Sequence, residues 1–233
     1  MDTKIESYRF AKEILEHRKF RHAWKEITSA IENCPLYLWP NKSKKNTSLD
    51  VVQQLLNTYF DRRFGVDLQW EHHPLATGIV DSELRADFRK SFGDLTIQVE
   101  VQFGNMARWY TDVFKFQTAC SQREINLAVC ILPVWELARR IDSNIAHFER
   151  AWRELPSAEL SITLPILMVG VRPGRKTTKF DVSRAGFTAV QQVTKGDNKW
   201  RLVHGLLTGV EVQNITADSP TGPMIEPTAE DET

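Results

Sequence analysis

No apolar run in the chain reaches the roughly 18 residues that a membrane-spanning helix needs, so no span of that kind is expected. Cysteine is scarce: Cys34, Cys120 and Cys130 stand apart, without CxxC spacing. That suggests neither a zinc site nor a disulfide framework and suits structural thiols in a reduced, cytoplasmic setting. The opening MDTKIESYRF lacks the basic-then-apolar pattern of a signal peptide. A glycine-rich phosphate loop is missing too, since Gly170-Val-Arg-Pro-Gly174 reads as the exit of a strand, which argues against an ATP-driven enzyme.

Net charge is also lacking, with 30 Lys and Arg against 30 Asp and Glu. The balance hides an uneven distribution. Residues 214–233 hold five acids (Asp218, Glu226, Glu230, Asp231, Glu232) and no Lys or Arg, so the body carries an excess of five positive charges. Such an excess permits a nucleic-acid partner without demanding one. Lys42-Ser-Lys-Lys45 and Arg172-Pro-Gly-Arg-Lys176 are basic clusters that can either contact phosphates or lie in solvated loops. The tail is rich in Pro, Thr and acids and is expected to be disordered, with a single domain over 1–213.

Apolar residues at helical spacing run from Phe10 and Ile14 through Phe20, Trp24, Ile27 and Ile31, and predict helix over about 6–33, ended by Pro35. A second helix is expected after an N-cap at Thr47 or Ser48, with Val51, Leu55 and Tyr59 on one face. From Leu84 the period changes to two. Leu95, Ile97, Val99, Val101 and Phe103 alternate with Thr96, Gln98, Glu100 and Gln102, the mark of a strand. A helix over 106–120, a buried strand at Asn126-LAVCILP, a helix over about 143–154 and a buried strand at Leu164-PILMVGV complete the pattern. The order describes an α/β protein of the α+β type, a mixed sheet covered by helices.

Two strands, LRADFRK and LTIQVEVQF, flank Ser91-Phe-Gly-Asp94. A two-residue turn at Gly93-Asp94 puts glycine where a tight hairpin needs positive φ. With those two residues at its centre, Asp87 falls opposite Glu100, the Cβ atoms roughly 5 Å apart, and Gln102 emerges on the same face. Facing carboxylates repel unless a cation lies between them. A hard divalent ion, Mg²⁺ above all, removes that penalty, and the Val101 carbonyl can add an oxygen ligand. The same alternation is also what a solvated sheet face shows. Asp94, at the turn, is too far along to serve. Glu71-His72-His73 is a weaker metal candidate, because neighbouring side chains on an extended segment point to opposite sides. The aromatic residues over 109–116 read as helix core.

The segment Asp87-Phe-Arg-Lys…Ile-Gln-Val-Glu100-Val-Gln102-Phe-Gly-Asn105 resembles the active-site hairpin of type II restriction endonucleases of the BglII and BstYI kind. These belong to the PD-(D/E)xK nucleases, in a branch where Gln replaces the usual Lys. Trp24-Lys-Glu-Ile27, Ile131-Leu-Pro-Val-Trp-Glu-Leu137 and Pro165-Ile-Leu-Met-Val-Gly170 extend the resemblance in order. It implies a restriction-endonuclease-like fold with Asp87, Glu100 and Gln102 catalytic. Asp87, Glu100 and Val101 would hold Mg²⁺. Asn105 and the loop Asp142-Ser143-Asn144 would approach bases, although Ser143 or Asn144 would equally suit a helix N-cap. It further implies a homodimer, built partly on the helix near 109–116, that cuts double-stranded DNA at a palindromic site with a GATC core. A cognate DNA methyltransferase would accompany it. Two features depart from the pattern: Ala86, not Pro, precedes Asp87, and the hairpin is longer, with two extra residues on each strand keeping the carboxylates opposed.

Overall fold

The computed structural model describes residues 1–79, 83–158 and 161–209; the acidic tail over 214–233 lies outside them. The elements in chain order are β1 (Asp2–Tyr8), α1 (Ala11–Glu16), α2 (Arg21–Glu32), β2 (Leu36–Leu38), α3 (Gln53–Phe60), β3 (Glu71–His72), β4 (Phe88–Phe92), β5 (Leu95–Val101), α4 (Met106–Ser121), β6 (Leu127–Pro133), α5 (Trp135–Ile141), α6 (Phe148–Glu154), β7 (Ile166–Arg172), β8 (Lys179–Asp181), α7 (Val190–Val193) and α8 (Asn198–Thr208). Six strands form one mixed sheet in the order β1-β7-β6-β5-β4-β3, and β2 pairs with β8 in parallel as a separate ribbon.

The sheet has a parallel centre and antiparallel edges. β5, β6 and β7 run parallel, and all seven residues of β6 are buried. A strand covered on both faces must be apolar throughout, and Leu-Ala-Val-Cys-Ile-Leu-Pro meets that demand. Crossing between parallel strands needs a long connection, supplied by α4 between β5 and β6 and by α5 and α6 between β6 and β7. α6 approaches β7 so closely that a Cβ on Gly170 would stand 2.7 Å from Cγ of Phe148. Only glycine lets the two pack that tightly.

The N-terminal expectation needs correction. Residues 2–8 form a strand antiparallel to β7, with Ile5 opposite Val169, and the helical region is split into α1 and α2 by a short 3-10 turn over Arg18–Phe20. Phe10 faces solvent at 74% exposure from a left-handed backbone conformation, rather than a helix core. The predicted N-cap at Thr47 or Ser48 also fails: α3 begins at Gln53 after Val52, and Val51 bridges to Leu38. α3 then widens into a π-type turn over Asp61–Asp67. The helix expected over 143–154 begins only at Phe148. No helix among the described residues is long and apolar enough to cross a membrane.

Candidate active site

The hairpin has the register read from its turn. Phe88 pairs with Val99, Lys90 with Ile97 and Phe92 with Leu95, and Gly93 takes the positive φ of 68° that the turn requires. Asp87, one residue ahead of β4, is therefore opposite Glu100. It is fixed at both ends: its Oδ2 accepts from the Val101 N–H at 2.7 Å, and its carbonyl accepts from the His73 N–H at 3.0 Å. Asp94 sits at the tip, exposed and ion-paired with Lys19 at 2.7 Å, remote from this pair.

The polar face of β5 is not a solvated one. Gln98, Glu100 and Gln102 are 0%, 1% and 6% exposed, because α4 covers them. From that helix Asp112 and Lys115, 4% and 7% exposed, project into the same place. The Lys115 ammonium donates to Glu100 Oε2 and lies 2.9 Å from Asp112 Oδ1. Gln98 Nε2 donates to Glu100 Oε1 at 2.9 Å. The Gln102 amide is engaged at both ends: Nε2 donates to Asp112 Oδ2, while Oε1 accepts from the Gly104 N–H at 2.8 Å. Asp87, Glu100, Val101, Gln102, Asp112 and Lys115 line one cavity of 440 Å³.

Asp112 and Lys115 were not picked out from the sequence, yet a signal was there. The buried stripe of α4 is Met106, Trp109, Asp112, Phe116 and Ala119, with Lys115 beside it. Two charged residues on the apolar stripe of a helix need a buried partner. The aromatic reading of 109–116 holds only in part: Trp109 and Phe116 are core, whereas Tyr110 and Phe114 are 50% and 62% exposed.

Burial governs the charges. It pushes the Asp87 carboxyl up to about 6, against the pull of Lys115. Burial, and then the facing Asp87, raise Glu100 well above the usual carboxylate range. Asp112 is likewise raised by burial. Burial disfavours the Lys115 ammonium, but Glu100, Asp112 and Asp87 outweigh it and hold the charge above its ordinary range. With every group ionised, three carboxylates face one ammonium, an excess of two negative charges.

The remaining sequence candidates lie outside the cavity. Asn105 caps α4, its side chain accepting from the Arg108 N–H at 3.2 Å. Asp142, Ser143 and Asn144 are exposed in the loop between α5 and α6, and the N-cap of α6 is His147 rather than Ser143 or Asn144. Asn105 bridges to Ile145, and Gly104 O accepts from the Ala146 N–H at 2.7 Å. These ties hold the loop beside the hairpin's exit. His72 and His73 do not point apart as an extended segment would have them: His73 has φ 52°, and the rings stand 3.7 Å apart. Even so, no group of three or more His, Cys, Asp or Glu side chains suited to a metal is gathered among the described residues. Lys42 is spent internally, donating to the carbonyls of Val51 at 2.7 Å and Ile141 at 2.9 Å.

A mixed sheet with paired acids at the end of a central hairpin, closed over by a crossover helix, is the frame of a nuclease of the restriction-endonuclease type. The crystal structure of BglII complexed with a DNA 16-mer shares the fold: TM-score 0.60 at 20% identity, covering 76% of this chain and 81% of that one. Free BglII gives a TM-score of 0.52 at 21% identity over 76% and 82% of the two chains. The family model for restriction endonuclease BglII/BglIII matches residues 3–171, and the chain belongs to that family. Among curated proteins no sequence matches.

Proposed function

We propose that this endonuclease hydrolyses both strands of double-stranded DNA at a short palindromic site, using Mg²⁺ held by Asp87, Glu100 and the Val101 carbonyl. The observation that carries the reading is the facing pair of the half-buried Asp87 and the buried Glu100, in a cavity that Asp112 and Lys115 also line. The donor set suits a small hard ion, which takes one or two carboxylates and keeps several waters. One buried amide oxygen is consistent with a hydrated guest: Asn57 Oδ1, on a residue of the cavity wall, has no partner among the described residues. When bound, the ion supplies Lewis-acid polarisation of the phosphoryl oxygen and a more acidic water.

The chain's own residues do the rest. Asp87 and Glu100 hold the charge in place, and the second donor of the Gln102 amide orients the attacking water. Water adds to phosphorus as the P–O3′ bond breaks, and the departing 3′-oxygen takes a proton. The products are a 5′-phosphate and a 3′-hydroxyl. Asn105 and Asp142-Ser143-Asn144, held together at the hairpin's exit, face the bases. A homodimer matches the two-fold symmetry of a palindrome, a GATC core is the expected site, and a methyltransferase would protect host DNA in the same cytoplasm.

Digestion of unmethylated phage DNA with and without Mg²⁺ tests this. Discrete Mg²⁺-dependent fragments with GATC-containing ends are expected, and Asp87→Ala or Glu100→Ala should abolish them while circular dichroism stays unchanged. A smear would point to a less specific nuclease. Binding without cleavage in any divalent metal would point to a protein that only binds DNA. Full activity in both variants would end the site assignment.

A further inference from the structure

We infer that Lys115, delivered from α4, is a catalytic residue of the hydrolysis: its ammonium donates to the phosphate under attack and stabilises the charge developing there. The inference rests on the nuclease reading and deepens it. The position on β5 that follows Glu100 on the same face is Gln102, a neutral amide already bonded at both ends within the protein. Among the described residues, the one cation bonded to Glu100 and Asp112 is Lys115, 7% exposed, and it lines the cavity beside Asp87 and Glu100.

Lys115 touches two carboxylates, Glu100 and Asp112, in a cluster of three. An ammonium has three donors, so two are spent on protein and one remains for a guest in the cavity. Burying a charged lysine is costly, and the helix stripe would otherwise hold an apolar residue. Fixed donors aimed at the charge that develops in phosphoryl transfer are a principal source of rate enhancement in water-poor sites. Asp112 acts through Lys115 and Gln102, bonded to both, and is a positioning residue.

The geometry also supplies a relocation test. Gln102 reaches Asp112 Oδ2 and Lys115 reaches Asp112 Oδ1, so an ammonium carried on residue 102 would arrive at the same carboxylate that the Lys115 ammonium now touches. Three proteins are compared: wild type, Lys115→Met, and the swap Gln102→Lys with Lys115→Met. Each is assayed for cleavage rate in Mg²⁺, for affinity to a duplex in Ca²⁺ and for melting temperature. Lys115→Met is expected to slow cleavage by about 100-fold or more while duplex affinity in Ca²⁺ holds within about threefold. The swap should regain about tenfold or more of the lost rate, and ethylammonium should partly restore Lys115→Ala. Wild-type rates in Lys115→Met would overturn the inference. So would a slow Lys115→Met with a lowered melting temperature that neither the swap nor ethylammonium repairs, since that is the pattern of a purely structural residue. A wild-type protein that cuts no DNA in any divalent metal would instead overturn the nuclease reading beneath it.

Discussion

Asp87 illustrates how a residue proposed to hold a metal ion strains the fold that carries it. Its carboxyl is half-buried, faces Glu100 and is raised by desolvation to about 6. A carboxyl with a raised pKa binds its proton more tightly folded than unfolded. Its unfavourable contribution is therefore absent below the unfolded value near 4, grows as pH rises, and is complete above 6. Removing the charge without the shape should stabilise the metal-free protein, because the amide oxygen introduced by Asp87→Asn can still accept from the Val101 N–H. In EDTA, Asp87→Asn should melt higher than wild type at pH 7.5, and the gain should shrink toward pH 4. Adding Mg²⁺ at pH 7.5 should raise wild type and leave Asp87→Asn nearly unmoved. Thermal melts at the two pH values decide it: a variant that melts lower than wild type in EDTA at pH 7.5 would mean that the Asp87 charge stabilises the apo fold.

The hairpin was legible in the sequence because everything that defines it is local. Period-two alternation identified β5, Gly93 fixed the turn, and the register followed, bringing Asp87 to Glu100. α4, β6 and β7 were legible for the same reason, each being a run of one periodicity. What escaped depends on distant partners. β1 is an edge strand, DTKIESY, with no fully buried residue, so its alternation is weak, and only pairing with β7 makes it a strand. Lys115 and Asp112 gain meaning only when α4 folds over Glu100. The opposite face of the hairpin shows the same dependence. Lys90 crosses to Glu26 on α2 at 3.0 Å, and the Trp70 Nε1–H donates to the same carboxylate at 2.8 Å. Glu26 is 7% exposed and ties α2 to the sheet. Glu26→Ala would take the partner from the Trp70 indole N–H and leave Lys90 to the Leu68 carbonyl, and should cost about 2 kcal/mol in urea-unfolding free energy. Cleavage per folded molecule should stay near wild type, since Lys90 projects away from Asp87. A loss below about 1 kcal/mol would show that water replaces the carboxylate.

At the scale of the whole molecule, the proposed double-strand break asks for two copies of the chain, since one active site per chain would cut one strand at a time. The surface we propose for that partnership is the outer side of α4, the helix whose inner side supplies Lys115 and Asp112. Tyr110 and Phe114, one turn apart, stand 50% and 62% exposed there, although burial of large aromatics is favourable by about 1.5–3 kcal/mol each. The Tyr110 hydroxyl donates to Glu154 Oε2 at 2.7 Å, linking this face to α6 and so to the loop that holds Asp142, Ser143 and Asn144. Dimerisation through α4 would thus set the spacing of two proposed active sites and two such loops together. Phe114→Glu puts a charge at the centre of that contact without touching the cavity. Sedimentation equilibrium should show the mass of wild type falling from two chains to one in the variant. On supercoiled plasmid, the variant should accumulate nicked circles where wild type yields linear DNA. A variant that remains dimeric and still linearises plasmid would move the interface elsewhere on the molecule.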